Sequence, residues 1–202
     1  MYSKYEEMRV MRQVMQNYAD NQKRQYESTI AMLKEQSNNF PLDINSDRTN
    51  TELSSLQSKV SLLSDYRTDY QSALSVVSEL NKAIRCYEQA YTPEQLQPGE
   101  IAEQREKVGN RIFHDIRTQN PEYKRIMDEI AYGLFVAHDP MIEDLGMDFD
   151  NKAESLDKDF EAGKITKEQL IYYTNMCWAL TQNKDYIEYM SQFQQEQGGM
   201  HM

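Results

Sequence analysis

Leu53-Ser-Ser-Leu56-Gln-Ser-Lys-Val60-Ser-Leu-Leu63-Ser-Asp-Tyr-Arg67-Thr-Asp-Tyr70-Gln-Ser-Ala-Leu74-Ser-Val-Val77-Ser-Glu-Leu-Asn81-Lys-Ala-Ile84-Arg-Cys-Tyr-Glu88-Gln-Ala-Tyr91 repeats with a step of three, then four, residues. One column is Leu56, Leu63, Tyr70, Val77, Ile84 and Tyr91; the other is Leu53, Val60, Arg67, Leu74, Asn81 and Glu88. This is the spacing of a coiled-coil seam and predicts one long helix. Thr49-Asn-Thr-Glu52 has the Thr-x-x-Glu form of a capping box and marks the start. Thr92-Pro93 marks the stop, because proline cannot continue the hydrogen-bond ladder and disfavours helix in the residue before it. Such a helix is roughly 60 Å long, against a radius of gyration of about 17 Å for a compact domain of this size. It must overhang the body or lie against another helix of similar length.

A second long helix is predicted over residues 2–38. Met8, Met11, Met15, Tyr18 and Gln22 keep the same spacing, and Tyr26, Ile30 and Leu33 resume it after a one-residue slip. Residues 37–48 break the pattern around Pro41 with a run of turn formers. Two long helices joined by a short loop pack antiparallel. With flush ends, facing residue numbers would total about 87, placing Tyr18 near Tyr70, Glu6 near Asn81, and Asp20 or Gln22 beside Arg67, whose charge needs a partner within an apolar seam. Tyr66, Leu80 and Tyr87 flank that seam and widen the apolar face beyond what one partner covers. The surplus implies a third helix, from this chain or from another subunit.

From Thr92 onward the punctuation is denser. Thr92-Pro93, Asn120-Pro121 and Asp139-Pro140 each place a capping residue before a proline at the first helical position. Pro98-Gly99, Gly146 and Gly163 interrupt or close segments, and Thr166-Lys-Glu-Gln169 is a capping box. Ile130-Ala-Tyr-Gly-Leu-Phe-Val-Ala137 is the most apolar run and the expected centre of a compact core. The terminal Gly198-Gly-Met-His-Met202 has nothing to order it alone. The expected fold is all-α: a long, coiled-coil-like N-terminal antiparallel helical hairpin over 1–91, followed by a compact, acidic bundle of shorter helices over 92–202.

Composition narrows the function. Among 202 residues, Gly (7) and Pro (5) are too scarce for a loop-rich β fold, while 14 Tyr, 6 Phe and 1 Trp argue against disorder. Cys86 and Cys177 do not make a disulfide framework, and each falls inside a predicted helix as a free thiol. There is no apolar leader after Met1 and no run of about 18 apolar residues, so the reading is a chain made in the cytoplasm without a membrane span. The net charge of −11 is concentrated late: residues 1–48 carry 7 basic and 7 acidic side chains, residues 139–202 carry 5 and 13. That field repels phosphate backbones and disfavours direct nucleic-acid binding.

Catalytic patterns are missing. No Glu-x-x-His pair, His-Glu-x-x-His, Cys-x-x-Cys, Gly-x-Ser-x-Gly or glycine-rich phosphate loop occurs. The run Asp148-Phe-Asp150-Asn-Lys152-Ala153 fails as a calcium loop: lysine stands at the fifth position, alanine replaces the turn glycine, and Asp159 stands where glutamate closes the site. The reading is therefore an acidic helix face, with no cofactor, no metal and no enzymatic activity. What remains are surfaces: Met8, Met11, Met15, Tyr66, Leu80 and Tyr87 as adaptable protein contacts, and Asp148, Asp150, Asp157 and Asp159 as an acidic patch. Both point to protein partners, either further copies or a larger assembly. In type, an acidic, Gln/Asn-rich, Cys-poor helical chain of this size resembles virion and assembly proteins, such as phage neck, scaffolding and internal virion proteins, and the virion is then a second expected location. The other class weighed is a secretion chaperone or cytosolic regulator that grips a client through its Met/Tyr-rich helical face.

Overall fold

The computed structural model describes residues 2–40, 47–91 and 100–198. It is 85% helical, without strands among the described residues. Seven helices follow in order: α1 (Lys4–Asn38), α2 (Asp47–Ala90), α3 (Glu100–Gln119), α4 (Pro121–Val136), α5 (Phe149–Glu161), α6 (Lys167–Leu180) and α7 (Lys184–Gly198). The two long helices pack together as the expected hairpin, and the shorter ones form the bundle. Among the described residues no helix is long and apolar enough to cross a membrane. Pro41, Thr92-Pro93, Pro98-Gly99 and the tail after Gly198 lie outside the described residues.

Packing separates two units, residues 13–78 and residues 1–12 with 79–202. The predicted boundary at 91/92 follows a break in the chain; these units instead divide both long helices along their length.

In the unit of residues 13–78, α1 buries Val14, Met15, Tyr18, Ala19, Gln22 and Thr29, and α2 buries Ala73, Val76 and Val77. The register differs from the flush-ended expectation. Lys23, Tyr26 and Glu27 line one groove with Tyr70, Arg67 and Tyr66, so facing numbers total 93. Within the other unit Tyr5 meets Glu88 and Arg12 meets Asn81, giving the same total. Buried Ala19 and Ala73 then come nearly level, where small side chains permit close approach of the backbones. Side-chain size, rather than flush ends, sets the alignment. The predicted Asp20–Arg67 pairing is therefore wrong. Both residues are exposed; Asp20 accepts hydrogen bonds from Gln16 (3.0 Å) and, through its carbonyl, from Arg24 (3.4 Å). Gln22 is buried and its Oε1 has no hydrogen-bond partner.

One seam column is also corrected. Val77 and Ile84 are buried as expected, but the second buried column is Ala73, Leu80 and Tyr87, supplemented by Val76, Ala83 and Ala90. The predicted column holds Arg67, Asn81 and Glu88: α2 leaves Arg67 and Glu88 exposed, while half-buried Asn81 accepts from Arg12 at the edge of the seam. The start of α2 shifts as well: the helix already runs at Asp47, so Thr49 lies within it rather than capping it. A capping box does occur at the start of α1. Ser3 Oγ accepts from the Glu6 backbone N–H (3.2 Å), and the Glu6 carboxylate accepts from the Ser3 N–H (2.8 Å).

In the unit of residues 1–12 and 79–202, the third helix is supplied by this chain. Gly109 of α3 lies against the Ala83 carbonyl and the Tyr87 ring. The Tyr87 hydroxyl bonds Asn110, and Arg105 donates to the Gln89 carbonyl (3.0 Å). Below this, α6 packs against both α4 and α5. It buries Leu170, Ile171, Asn175, Met176, Cys177, Ala179 and Leu180, so it has core on nearly every side. The expected centre, Ile130–Ala137, is instead the rim: Val136 is exposed, and Phe135 packs edge-on with Tyr186 and Tyr189. Two caps fall where the sequence placed them, at Asn120 and Thr166, and Asn183 supplies a third. Asn120 caps α4 with Pro121 following, Thr166 and Gln169 form the box of α6, and Asn183 accepts from Tyr186 N–H (2.9 Å). Asp139-Pro140 opens only successive turns, anchored by fully buried Ile142 and Leu145.

Candidate functional site

The predicted contact residues scatter. Met8, Met11, Met15 and Leu80 are fully buried, and Tyr87 nearly so. They are core, not a surface, because the true second column of α2 runs through Leu80 and Tyr87, and buried Met8, Met11 and Met15 line the corresponding face of α1. Tyr66 alone reaches a groove, half-buried beside Tyr26 and Tyr70. The four aspartates do not act as one patch. Asp148 is the N-cap of α5, accepting from Asn151 N–H (3.1 Å). Asp159 is half-buried and paired with Lys164 (2.7 Å). Asp150 and Asp157 are exposed. Among the described residues no three His, Cys, Asp or Glu side chains converge to hold a metal ion. Both cysteines are free; Cys177 is buried, which pushes its thiol up to about 11, and Cys86 is half-buried.

Two arrangements stand out. The first, in the unit of residues 13–78, is the outer edge of α2 that the sequence assigned to the seam. Leu53 is 44% exposed, Val60 59% and Leu62 42%, with Met32 of α1 at 46%. Leu56 and Leu63 beside them are half-buried. Leu53 and Val60, one heptad apart, share a face of α2 that nothing in this unit covers; Leu62, two residues beyond Val60, points to another side of the helix.

The second, in the other unit, is built around Arg117 near the end of α3. Its Nη1 lies 2.9 Å from Oε1 of Glu7, a carboxylate on α1 only 4% exposed, whose Oε2 meets Lys4 Nζ at 3.0 Å. The guanidinium stacks between two rings, 5.7 Å from the centroid of Phe113 and 5.4 Å from that of Trp178. An arginine so held is fixed in place, since its charge is paired and its planar faces are covered. Tyr123, in the first turn of α4, is buried among the same charges. Desolvation, the dominant cause, pushes its hydroxyl well above the ordinary tyrosine range, and that hydroxyl has no hydrogen-bond partner. Tyr2 is raised in the same sense, first by burial and then by Glu7.

Arg117, Tyr123 and Trp178 open onto a cleft of about 510 Å³ at the start of α4 and of α7. Its other walls include Lys124, Asp128, Asn183, Lys184 and Asp185. Asn183 donates to Asp128 (2.7 Å) while capping α7, just as Asn120 donates to Glu79 (2.8 Å) while capping α4. From the sequence, none of Glu7, Arg117, Tyr123 and Trp178 is assigned to a site. The available signal was a single Trp in an otherwise Tyr-rich chain. The pairing itself joins residues 110 positions apart, beyond any local pattern.

No family model matches the chain, and neither a curated protein nor a solved structure matches it.

Proposed function

We propose that this chain is a non-enzymatic interaction and assembly component that associates with further copies of itself through the bare edge of α2. The observation behind this is the pair Leu53 and Val60, one heptad apart on the same face of α2 and uncovered. Each is already about half covered, so closing it would contribute on the order of 1 kcal/mol per side chain. A two-fold pair doubles the count. After the cost of association, that suits only weak binding, at roughly millimolar or above. Charge favours the same partner. Residues 13–78 carry six basic and eight acidic side chains, a net −2 of the chain's −11, so this unit repels its own copy only weakly. A structural protein of a virion, such as a neck, scaffolding or internal protein, is the role this type of chain suits. The reading as a client-binding chaperone or regulator has less support. Exposing Met8, Met11 and Met15 would cost about 1.5–3 kcal/mol each, comparable in sum to the whole stability of a domain.

Light scattering from about 10 µM to about 2 mM, reaching that affinity, tests the proposal. The mass should rise from 23.8 kDa with concentration, and Leu53→Lys with Val60→Lys should hold it at the single-chain value without lowering the melting temperature. A single-chain mass throughout, or association unaffected by the two lysines, overturns it.

A further inference from the structure

We infer that the cleft beside Arg117 and Trp178 is a binding site for a small organic anion, an oxyanion headgroup on a flat aromatic body. Its volume of about 510 Å³ lies within the range of small-molecule sites. In a chain of net charge −11, four of its lining residues are cationic (Arg117, Lys124, Arg125 and Lys184) against two acidic ones, Asp128 and Asp185. Arg117 is held by Glu7, and Arg125 by Glu122 and Glu129. Lys124 and Lys184 are exposed and make no ion pair among the described residues. They stand in the first turns of α4 and α7, so the positive ends of two helix dipoles add to their field.

The independent sign of a ligand is Tyr123. Its side chain is buried and its hydroxyl is unpartnered, a costly condition that an acceptor in the cleft would relieve. The hydroxyl, kept protonated by its burial, can donate; with the two exposed ammonium groups lining the same cleft, the complementary group is an anion rich in acceptor oxygens. Trp178 is 38% exposed while Arg117 is stacked over its ring. That leaves aromatic surface for a flat body.

Trp178 is the only tryptophan in the chain, so its emission reports this site alone. Phenyl phosphate and benzoate, titrated at low salt, should each change that emission saturably, and the tighter of the two identifies the headgroup. Inorganic phosphate should bind more weakly, and neutral benzyl alcohol should not saturate. Tyr123→Phe should weaken the anion about tenfold, the value of one hydrogen bond to a charged group, while the thermal melt holds or rises because an unsatisfied hydroxyl is gone. Lys124→Gln and Lys184→Gln, both on exposed positions, should each weaken it severalfold, and less so in salt. Three results would overturn the site: no saturable change with either anion up to about 20 mM, beyond ordinary weak binding; benzyl alcohol binding as well as the anions; or affinity unchanged in all three variants.

Discussion

Glu6 shows how much one side chain can be asked to do. It closes the capping box at the start of α1 and also accepts from Lys167 of α6 at 2.9 Å. The Ser3 N–H, first, and Lys167, second, hold its carboxyl down at about 2. A depressed carboxylate stabilises the fold above its ordinary range near 4.5, and the contribution is lost as pH falls from there through 2. The side chain is 36% exposed, so screening keeps the gain below about 1 kcal/mol. Glu6→Gln should thus melt slightly lower than the native chain at pH 7, with the gap closing by pH 2 in paired thermal melts; a gap that stays constant with pH would refute the assignment. Ser3-x-x-Glu6 was legible as a capping box, since it has the form read at Thr49-x-x-Glu52. The difference is context: Asp47 already begins α2, so Thr49-x-x-Glu52 sits inside a helix and not at its start. Local signals of this kind mark helix ends only when nothing upstream is helical.

At the level of elements, Gly109 and Gly133 make opposite demands. Both are helical glycines, where alanine ordinarily stabilises. A Cβ at Gly109 would lie 2.9 Å from the Tyr87 ring and 3.0 Å from the Ala83 carbonyl. The ring is held by its bond to Asn110, and a backbone carbonyl cannot step aside, so Gly109→Ala should destabilise by about 1–3 kcal/mol. A Cβ at Gly133 meets nothing within 4 Å, and Gly133→Ala should stabilise by about 0.5 kcal/mol near the end of α4. Chemical denaturation of both variants checks the pair, and the same sign in both would contradict the α2–α3 contact. The helices themselves could be read from period and punctuation: both long ones were located, and the caps at Asn120 and Thr166 fell in place. Which column of α2 faces inward could not. Leu53 and Val60 fit a seam as well as Ala73 and Leu80 do, and only the partner's shape decides between them. The same holds for the cleft, because Glu7, Arg117, Tyr123 and Trp178 meet through packing that no short window of sequence contains.

For the whole molecule, charge and apolar surface are divided unequally. Residues 13–78 hold the bare edge of α2 and a net −2, and the remaining residues carry −9. Association through that edge therefore brings together chains that repel mainly through charge lying elsewhere, and added salt should strengthen it. Sedimentation between about 20 and 300 mM NaCl, which shortens the screening length from roughly 20 to 6 Å, should show larger species at the higher salt, whereas binding in the cleft should weaken over the same range. Larger species at the lower salt would mean that charge pairing, not the apolar edge, joins the copies. A last consequence follows from the two free thiols. No bridge between them staples this fold, and the one inside α6 is sealed away with its proton firmly held. Folding accordingly waits on no oxidant: the chain reaches this structure with both thiols reduced, and of the two only the half-buried Cys86 is open to redox chemistry afterwards.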